Sequence, residues 1–169
     1  MKRLILTILT SAVMFITADA QSNLKKVYDE SKDPMTQIDD ALVQAGKDGK
    51  FVICQVGGNW CRWCLMFADF ISKDSEITEL IDKNFEYVHV NYNPRERNDE
   101  AKMKKAEAML ERLGNPGRFG FPVFVVLDSK GKVLHIQDSS FLEEGNGYNK
   151  AKVMRFFSNW TPEAVNNQC

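Results

Sequence analysis

The spacing of apolar positions changes character several times along this chain. Behind Met1, Lys2 and Arg3, residues 4–17 are apolar apart from hydroxyl side chains. Further on, Ile38, Ala41, Leu42 and Ala45 recur at the three-to-four spacing of one helix face. Asp33-Pro34 supplies an N-cap and a proline for the first turn, and residues 46–49 close the run. Residues 51–56 (Phe-Val-Ile-Cys-Gln-Val) are almost continuously apolar and β-branched, the pattern of a strand covered on both faces. Gly57-Gly58 permits a sharp exit, and residues 60–73 predict a second helix. Ser75 is placed to cap a shorter helix ending at Asn84, with Glu76 and Glu79 near its start. Residues 85–91 alternate as a strand, and 93–98 form an exposed turn. Residues 99–113 carry an apolar stripe at Met103, Ala106, Met109, Leu110 and Leu113 on a helix whose Lys and Glu run reads as a solvated face. Residues 114–117 break it. Residues 121–127 are a strand, 128–131 a hairpin turn and 132–137 its antiparallel partner. A loop at 138–147 and a helix at 148–160 complete the pattern. Helix–strand alternation followed by a hairpin predicts an α/β fold of three layers, a mixed central sheet with helices on both faces. No internal repeat interrupts this order.

Composition narrows the picture. A chain of 169 residues with 44% hydrophobic content suits one domain with a substantial core. The net charge of −1 leaves no basic face of the kind nucleic acid requires. Four cysteines are too few to staple a chain of this size, so they point to chemistry rather than scaffolding. The first twenty residues read as a targeting segment: a cationic start, an apolar run short for a membrane span, and the small-x-small site Ala18-Asp19-Ala20 before Gln21. An uncleaved anchor is the competing reading. Cleavage would remove Lys2, Arg3 and Asp19 and take the net charge to −2. No cysteine follows the site, so lipid attachment there has no support. The expectation is a periplasmic or secreted protein.

The chemistry concentrates in Asn59-Trp60-Cys61-Arg62-Trp63-Cys64, at the start of the second helix. A helix start gathers unpaired backbone N–H groups and the positive end of the dipole, and both favour a thiolate. Cys61 is therefore expected to ionise below the free thiol value of about 8.5, with Arg62 pushing the same way. Cys64, one turn on, lies within bonding reach, so a Cys61–Cys64 disulfide can form and a mixed disulfide on Cys61 can be resolved within the molecule. A zinc half-site and a permanent structural bridge are the alternatives. Zinc needs a second pair of ligands, and His89, His135, Cys54 and Cys169 lack the spacing. No metal and no cofactor are expected.

The placement of Trp60-Cys61-Arg62-Trp63-Cys64 after the first buried strand, together with Phe121-Pro122 opening the hairpin, resembles the thioredoxin superfamily. The likeness is greatest to exported bacterial thioredoxin-like proteins and spans residues 34–162. That divides the chain into a leader at 1–20, a polar, extended lead-in at 21–33, a thioredoxin-like domain at 34–162 and a tail at 163–169. The resemblance implies that Cys61 is the nucleophile, Cys64 the resolving thiol, Trp60 the aromatic residue preceding the pair, and Pro122 the cis-proline lying against the disulfide. It also implies that the backbone of Phe121 pairs with a bound polypeptide by strand addition. Gln55 stands where many relatives carry a buried acid that handles the resolving thiol's proton. An amide cannot take that role, so Cys64 would lose its proton to water or another group. Arg62-Trp63 replaces the Gly-Pro pair common in thioredoxins and leaves the redox potential open.

The function expected from this is an exported thiol–disulfide oxidoreductase that reduces or isomerises protein disulfides, fed by a separate, membrane-borne thiol donor. A disulfide oxidase, a polypeptide-binding module with a structural Cys61–Cys64 bridge, and a metal carrier are the competing classes. With no dimerisation segment in view, a monomer is expected. Trp60, Arg62 and Trp63 are expected to shape the substrate surface with Phe121 and Pro122, and Arg118 to present a second cation to the thiols. Cys54, His89 and His135 read as structural, Cys169 as an inert tail thiol, and Phe141, Tyr148, Phe156, Phe157 and Trp160 as core or loop-anchoring aromatics.

Overall fold

The computed structural model describes residues 24–96 and 98–167. The expectations for the leader, its cleavage site and Cys169 fall outside them. Within them the chain runs α1 (Pro34–Asp48), β1 (Phe51–Gly57), α2 (Arg62–Lys73), α3 (Ser75–Asn84), β2 (Phe85–Asn91), α4 (Glu100–Arg112), β3 (Val123–Leu127) and β4 (Val133–Asp138). A two-residue hairpin, β5 (Glu143–Glu144) and β6 (Gly147–Tyr148), precedes α5 (Lys150–Asn159) and α6 (Pro162–Asn166).

The main sheet has the order β2-β1-β3-β4, with β1 parallel to β2 and antiparallel to β3, and β3 antiparallel to β4. The near-continuous apolar run of β1 is explained by its place between two neighbours with helices over both faces. Its alternating residues go to two separate cores. Phe51 and Ile53 join Phe67, Ile71, Ile77, Ile81, Phe124, Val126, Phe156 and Phe157 under α2, α3 and α5. Val52, Cys54 and Val56 join Ile38, Ala41, Ala45, Met109, Val123 and Val125 under α1 and α4. The three-layer α/β expectation is met.

Local chemistry sets most boundaries. Asp33 caps α1 by accepting from the Met35 and Thr36 backbones, with Pro34 in the first turn. The helix continues through Gly46 and ends at Gly49, whose φ of 66° suits glycine. Two expectations need correction. The α3 cap is Asp74, whose carboxylate accepts from the Glu76 and Ile77 backbones, and Ser75 is already helical. The 163–169 tail contains most of α6, capped by Thr161, which accepts from the Ala164 backbone. The loop at 138–147 also holds a 3₁₀ turn (Ser139–Leu142) besides the small hairpin. Of the late aromatics, Phe156 and Phe157 are buried and Tyr148 and Trp160 pack against them, whereas Phe141 is 72% exposed and anchors nothing.

Phe124 sits at the middle of the sheet, its ring 4.4 Å from Phe67 and 5.7 Å from Phe156 between centroids. Phe124→Ala leaves a void that neither helix can close. The expected outcome is a loss of about 3–5 kcal/mol of unfolding free energy, read from denaturant titration.

Candidate active site

Three strand ends meet at one edge of the sheet. Gly57 ends β1 and pairs in register with Asn91, the last residue of β2, while Val56 faces Val123, the first residue of β3. Residues just beyond those ends are therefore neighbours: 58–61 after β1, Tyr92 after β2, and Phe121-Pro122 before β3. The Tyr92 backbone N–H binds the Gly57 carbonyl at 2.6 Å, and the Trp60 indole donates to the Tyr92 carbonyl at 2.7 Å. Gly58 makes room for that indole, since a Cβ there would collide with the Trp60 ring.

Cys61 is the N-cap of α2, one residue after the predicted helix begins. Its sulfur is bonded to Cys64 Sγ and accepts the Cys64 backbone N–H at 3.1 Å. This is the anion-favouring end of a helix, used here by sulfur where Ser or Asp is usual. The two cysteines differ in access. Cys61 keeps 7% exposure and Cys64 none, so a reagent reaches only the first. The Phe121–Pro122 peptide is cis, and the Phe121 carbonyl oxygen lies 3.6 Å from Cys61 Sγ.

Aromatic rings flank the sulfurs on two sides. Trp60 meets Phe121 edge-on at 5.8 Å, and Phe121 stacks on Tyr92 at 5.0 Å. On the other side Trp63 meets Tyr148 edge-on at 5.6 Å, and the Tyr148 hydroxyl donates to the Trp63 carbonyl at 3.1 Å. Both tryptophans are half-buried and Arg62 is exposed. Trp60, Arg62, Trp63 and Phe121 are thus brought around the pair, as is the backbone of Pro122. Arg118 is not. Its guanidinium donates to the Gly114 and Asn115 carbonyls at 2.8 and 2.6 Å and lies over the Phe119 ring, where it satisfies the chain just past α4.

Sequence reasoning missed the layer beneath the disulfide. The lead-in is not a solvated stretch: Tyr28 is 4% exposed and packs with Cys61, Cys64 and Leu65. Asn59 ties it down. Its amide oxygen accepts from the Val27 and Tyr28 backbones, and its nitrogen donates to the Tyr28 carbonyl and to the Glu30 carboxylate. Gln55, fully buried, donates to Tyr28 Oη at 2.7 Å and to the Cys64 carbonyl at 2.9 Å, and accepts from the Tyr87 hydroxyl at 2.6 Å. The signal for this layer is Val27-Tyr28, with Leu24 three residues before them, in an otherwise polar lead-in.

The remaining candidates pack into the fold away from the exposed sulfur. Cys54 lies on the opposite face of β1 from Gln55, and burial pushes its thiol up to about 12. His89 packs edge-on against Tyr28 and Tyr87, and desolvation lowers its pKa to about 4. His135 stacks on Trp160 at 4.4 Å. Among the described residues no group of three or more His, Cys, Asp or Glu is placed to hold a metal ion, and no helix is long and apolar enough to cross a membrane.

A Cys-x-x-Cys pair at a helix start, facing a cis-proline at the edge of this sheet, defines a thioredoxin-superfamily thiol–disulfide oxidoreductase. Residues 16–161 match the Thioredox_DsbH family, described as a protein of unknown function, DUF255, and the chain belongs to that family. A disulphide isomerase from Xylella fastidiosa Temecula1 is similar at 29% identity with a TM-score of 0.64, covering 80% of this chain and 97% of that one. A DsbH oxidoreductase shares the fold at 24% identity and a TM-score of 0.51, covering 71% of this chain and 78% of that one. No curated protein matches the chain.

Two outcomes follow from the packing. A Cβ at Gly57 would lie 2.5 Å from Cys64 Sγ and 2.9 Å from Tyr28 Oη, both in a closed core. Gly57→Ala should cost about 1–3 kcal/mol in denaturant unfolding. The control Gly46→Ala, with nothing within 4 Å on a helix, should be neutral or gain up to about 1 kcal/mol. His89 gives a pH effect of known sign. Its depressed folded pKa means the unfolded chain binds the proton first, so stability is full above about pH 6.5 and falls as pH drops towards 4. The slope reaches at most about 1.4 kcal/mol per pH unit, and His89→Leu should remove that component from the pH–stability curve.

Proposed function

We propose that this protein is an exported thiol–disulfide oxidoreductase acting on protein disulfides, with Cys61 as nucleophile and Cys64 as resolving thiol. The observation that carries the proposal is the unequal access of two sulfurs held at one helix start. In the reduced pair the Cys61 sulfur sits where the Cys64 N–H and the helix dipole favour its thiolate. That thiolate attacks a substrate disulfide, forming a Cys61–substrate bond and releasing one substrate sulfur as thiolate. Cys64, from beneath, then attacks Cys61. The Cys61–Cys64 bond forms, and the second substrate sulfur leaves with the electron pair.

Phe121 and Pro122 border the exposed sulfur, and Trp60, Trp63, Tyr92 and Tyr148 add apolar surface around it. Backbone groups of Phe121 suit an extended polypeptide, because strand addition uses atoms that every sequence carries. Arg62, exposed at the first turn, adds a positive charge to the approach. The isomerase or reductase direction is favoured by the likeness to a disulphide isomerase. Export is supported by the leader-like first twenty residues. Outside the cytosol a dithiol must be kept reduced, which calls for a separate, membrane-borne thiol relay as electron donor.

Insulin reduction followed by turbidity tests the proposal. The wild-type protein with a thiol donor should turn over, and Cys61→Ser should abolish turnover. Cys64→Ser should accumulate mixed disulfides on Cys61, visible as adducts that dithiothreitol releases. Retained turnover in Cys61→Ser would leave a binding module. Equilibration with glutathione separates directions: a potential near −120 mV would mark an oxidase, and a value at or below about −180 mV an isomerase or reductase.

A further inference from the structure

The three side chains behind the pair form a hydrogen-bond chain whose direction is fixed by chemistry. The Cys64 carbonyl can only accept, so the Gln55 atom 2.9 Å from it is Nε2. Gln55 Oε1 is therefore the atom facing Tyr87, and the Tyr87 hydroxyl must be the donor there. The other Nε2 hydrogen goes to Tyr28 Oη at 2.7 Å. On its Gln55 side the Tyr28 oxygen is thus an acceptor, and its own proton points elsewhere. Among the described residues no oxygen or nitrogen receives it. The acceptor that shares its surroundings is sulfur: Cys64 Sγ and Tyr28 Oη lie 2.5 and 2.9 Å from the position a Cβ would take on Gly57, and both belong to one buried cluster.

We propose that Tyr28, held by Asn59 and aimed by Gln55, donates its hydroxyl hydrogen bond to the Cys64 sulfur in the reduced protein and eases formation of the resolving thiolate. The inference rests on reading Cys64 as the resolving thiol. It answers the absence of an acid at Gln55 with a donor instead of a base. Burial holds the Tyr28 phenol far above its ordinary range, so it keeps its proton throughout. Cys64 gives its proton to water, and its sulfur attacks Cys61. The Cys61–Cys64 bond forms, the Cys61–substrate bond breaks, and the departing substrate thiolate takes a proton from water. In the reverse direction the same hydroxyl receives the charge that appears on Cys64 as it leaves.

The titratable side chains that β2 and β6 bring towards this space are neutral near pH 7. From β2, Tyr87 is raised by burial and His89 lowered to about 4, and from β6 Tyr148 is raised by burial. On the lead-in, Glu30 is engaged by the Asn59 amide. On α2 the group at hand is Cys61 itself. The Tyr87 hydroxyl is committed to Gln55 and the Tyr148 hydroxyl to the Trp63 carbonyl, so of these three tyrosines Tyr28 is the one with a proton to give, and losing it should be felt.

The measurement is the Cys64 titration midpoint, followed by the Cβ carbon shift in full-length Cys61→Ser protein. Adding Tyr28→Phe should raise that midpoint by about one pH unit, equal to a roughly tenfold smaller thiolate fraction at neutral pH. Asn59→Ala, which unties the lead-in but keeps the phenol, should shift it in the same direction by less. An unchanged midpoint in folded Tyr28→Phe protein overturns the proposal. If that variant does not fold, the Tyr28 ring carbons in Cys61→Ser protein replace it. They should titrate with the Cys64 midpoint, and their failure to do so is equally fatal. These readings do not depend on insulin turnover, so loss of the enzymatic reading and loss of the Tyr28 contact remain separate results.

Discussion

A side-chain amide with no solvent exposure must place an oxygen and two hydrogens, and Gln55 does so in three parts of the chain. Its oxygen takes the Tyr87 proton from β2, one hydrogen goes to the Cys64 carbonyl on α2, and the other to Tyr28 on the lead-in. Leaving any of these unpaired in the core would cost about 1–3 kcal/mol. The bonds therefore fix the relative position of the elements that carry them. The first turn of α2 cannot drift from β1, and the lead-in cannot lift from the disulfide, without stranding a buried polar group.

That constraint acts where the topology already converges. β1 runs parallel to β2 and antiparallel to β3, so two strands end and one begins along the same edge. Gly57 allows the sulfur of Cys64 to approach the backbone, and Gly58 admits the Trp60 indole against the Tyr92 carbonyl. Side chains at both positions would force the helix outward, separating the cysteines from Phe121 and Pro122. The site is thus as much a product of two missing Cβ atoms as of two thiols.

Much of this was readable from residue order. The periodicity of α1, α2 and α4, the two-faced burial of β1 and the alternation of β2 follow from local patterns that tertiary packing did not override. Cys61, Cys64 and Pro122 were legible because their spacing and place in the element order are distinctive. What escaped lacks periodicity. Tyr28 sits in a polar lead-in, and only the fold brings it across a separation of 27 residues to Gln55. Asn59 belongs to the motif, yet its four bonds to the lead-in depend on a segment with no regular structure. The cap of α3 is ambiguous in sequence because Asp74 and Ser75 are both good caps, and only the geometry chooses. The Thr161-Pro162-Glu163 start of α6 carries a cap-and-proline signature, but five residues are too few to show helical periodicity.

The difference in exposure between the sulfurs also constrains where charge can go during exchange. Cys61 can share its charge with the Cys64 N–H, the helix dipole and water. Cys64 has no solvent exposure while the disulfide is closed, and its own peptide carbonyl is already bonded to Gln55. A thiolate there is an anion in a medium where unpaired charge is expensive. Either it exists only fleetingly, at a cost to the rate of resolution, or a neutral donor meets it. The fold packs Leu24, Val27, Leu65, Trp60, Trp63 and Phe121 into the same cluster, and Tyr28 brings a hydroxyl to it. The chain therefore separates the two tasks of a dithiol by environment: one sulfur partly exposed at a helix start for encounter, the other buried in a cluster that the lead-in closes with Tyr28.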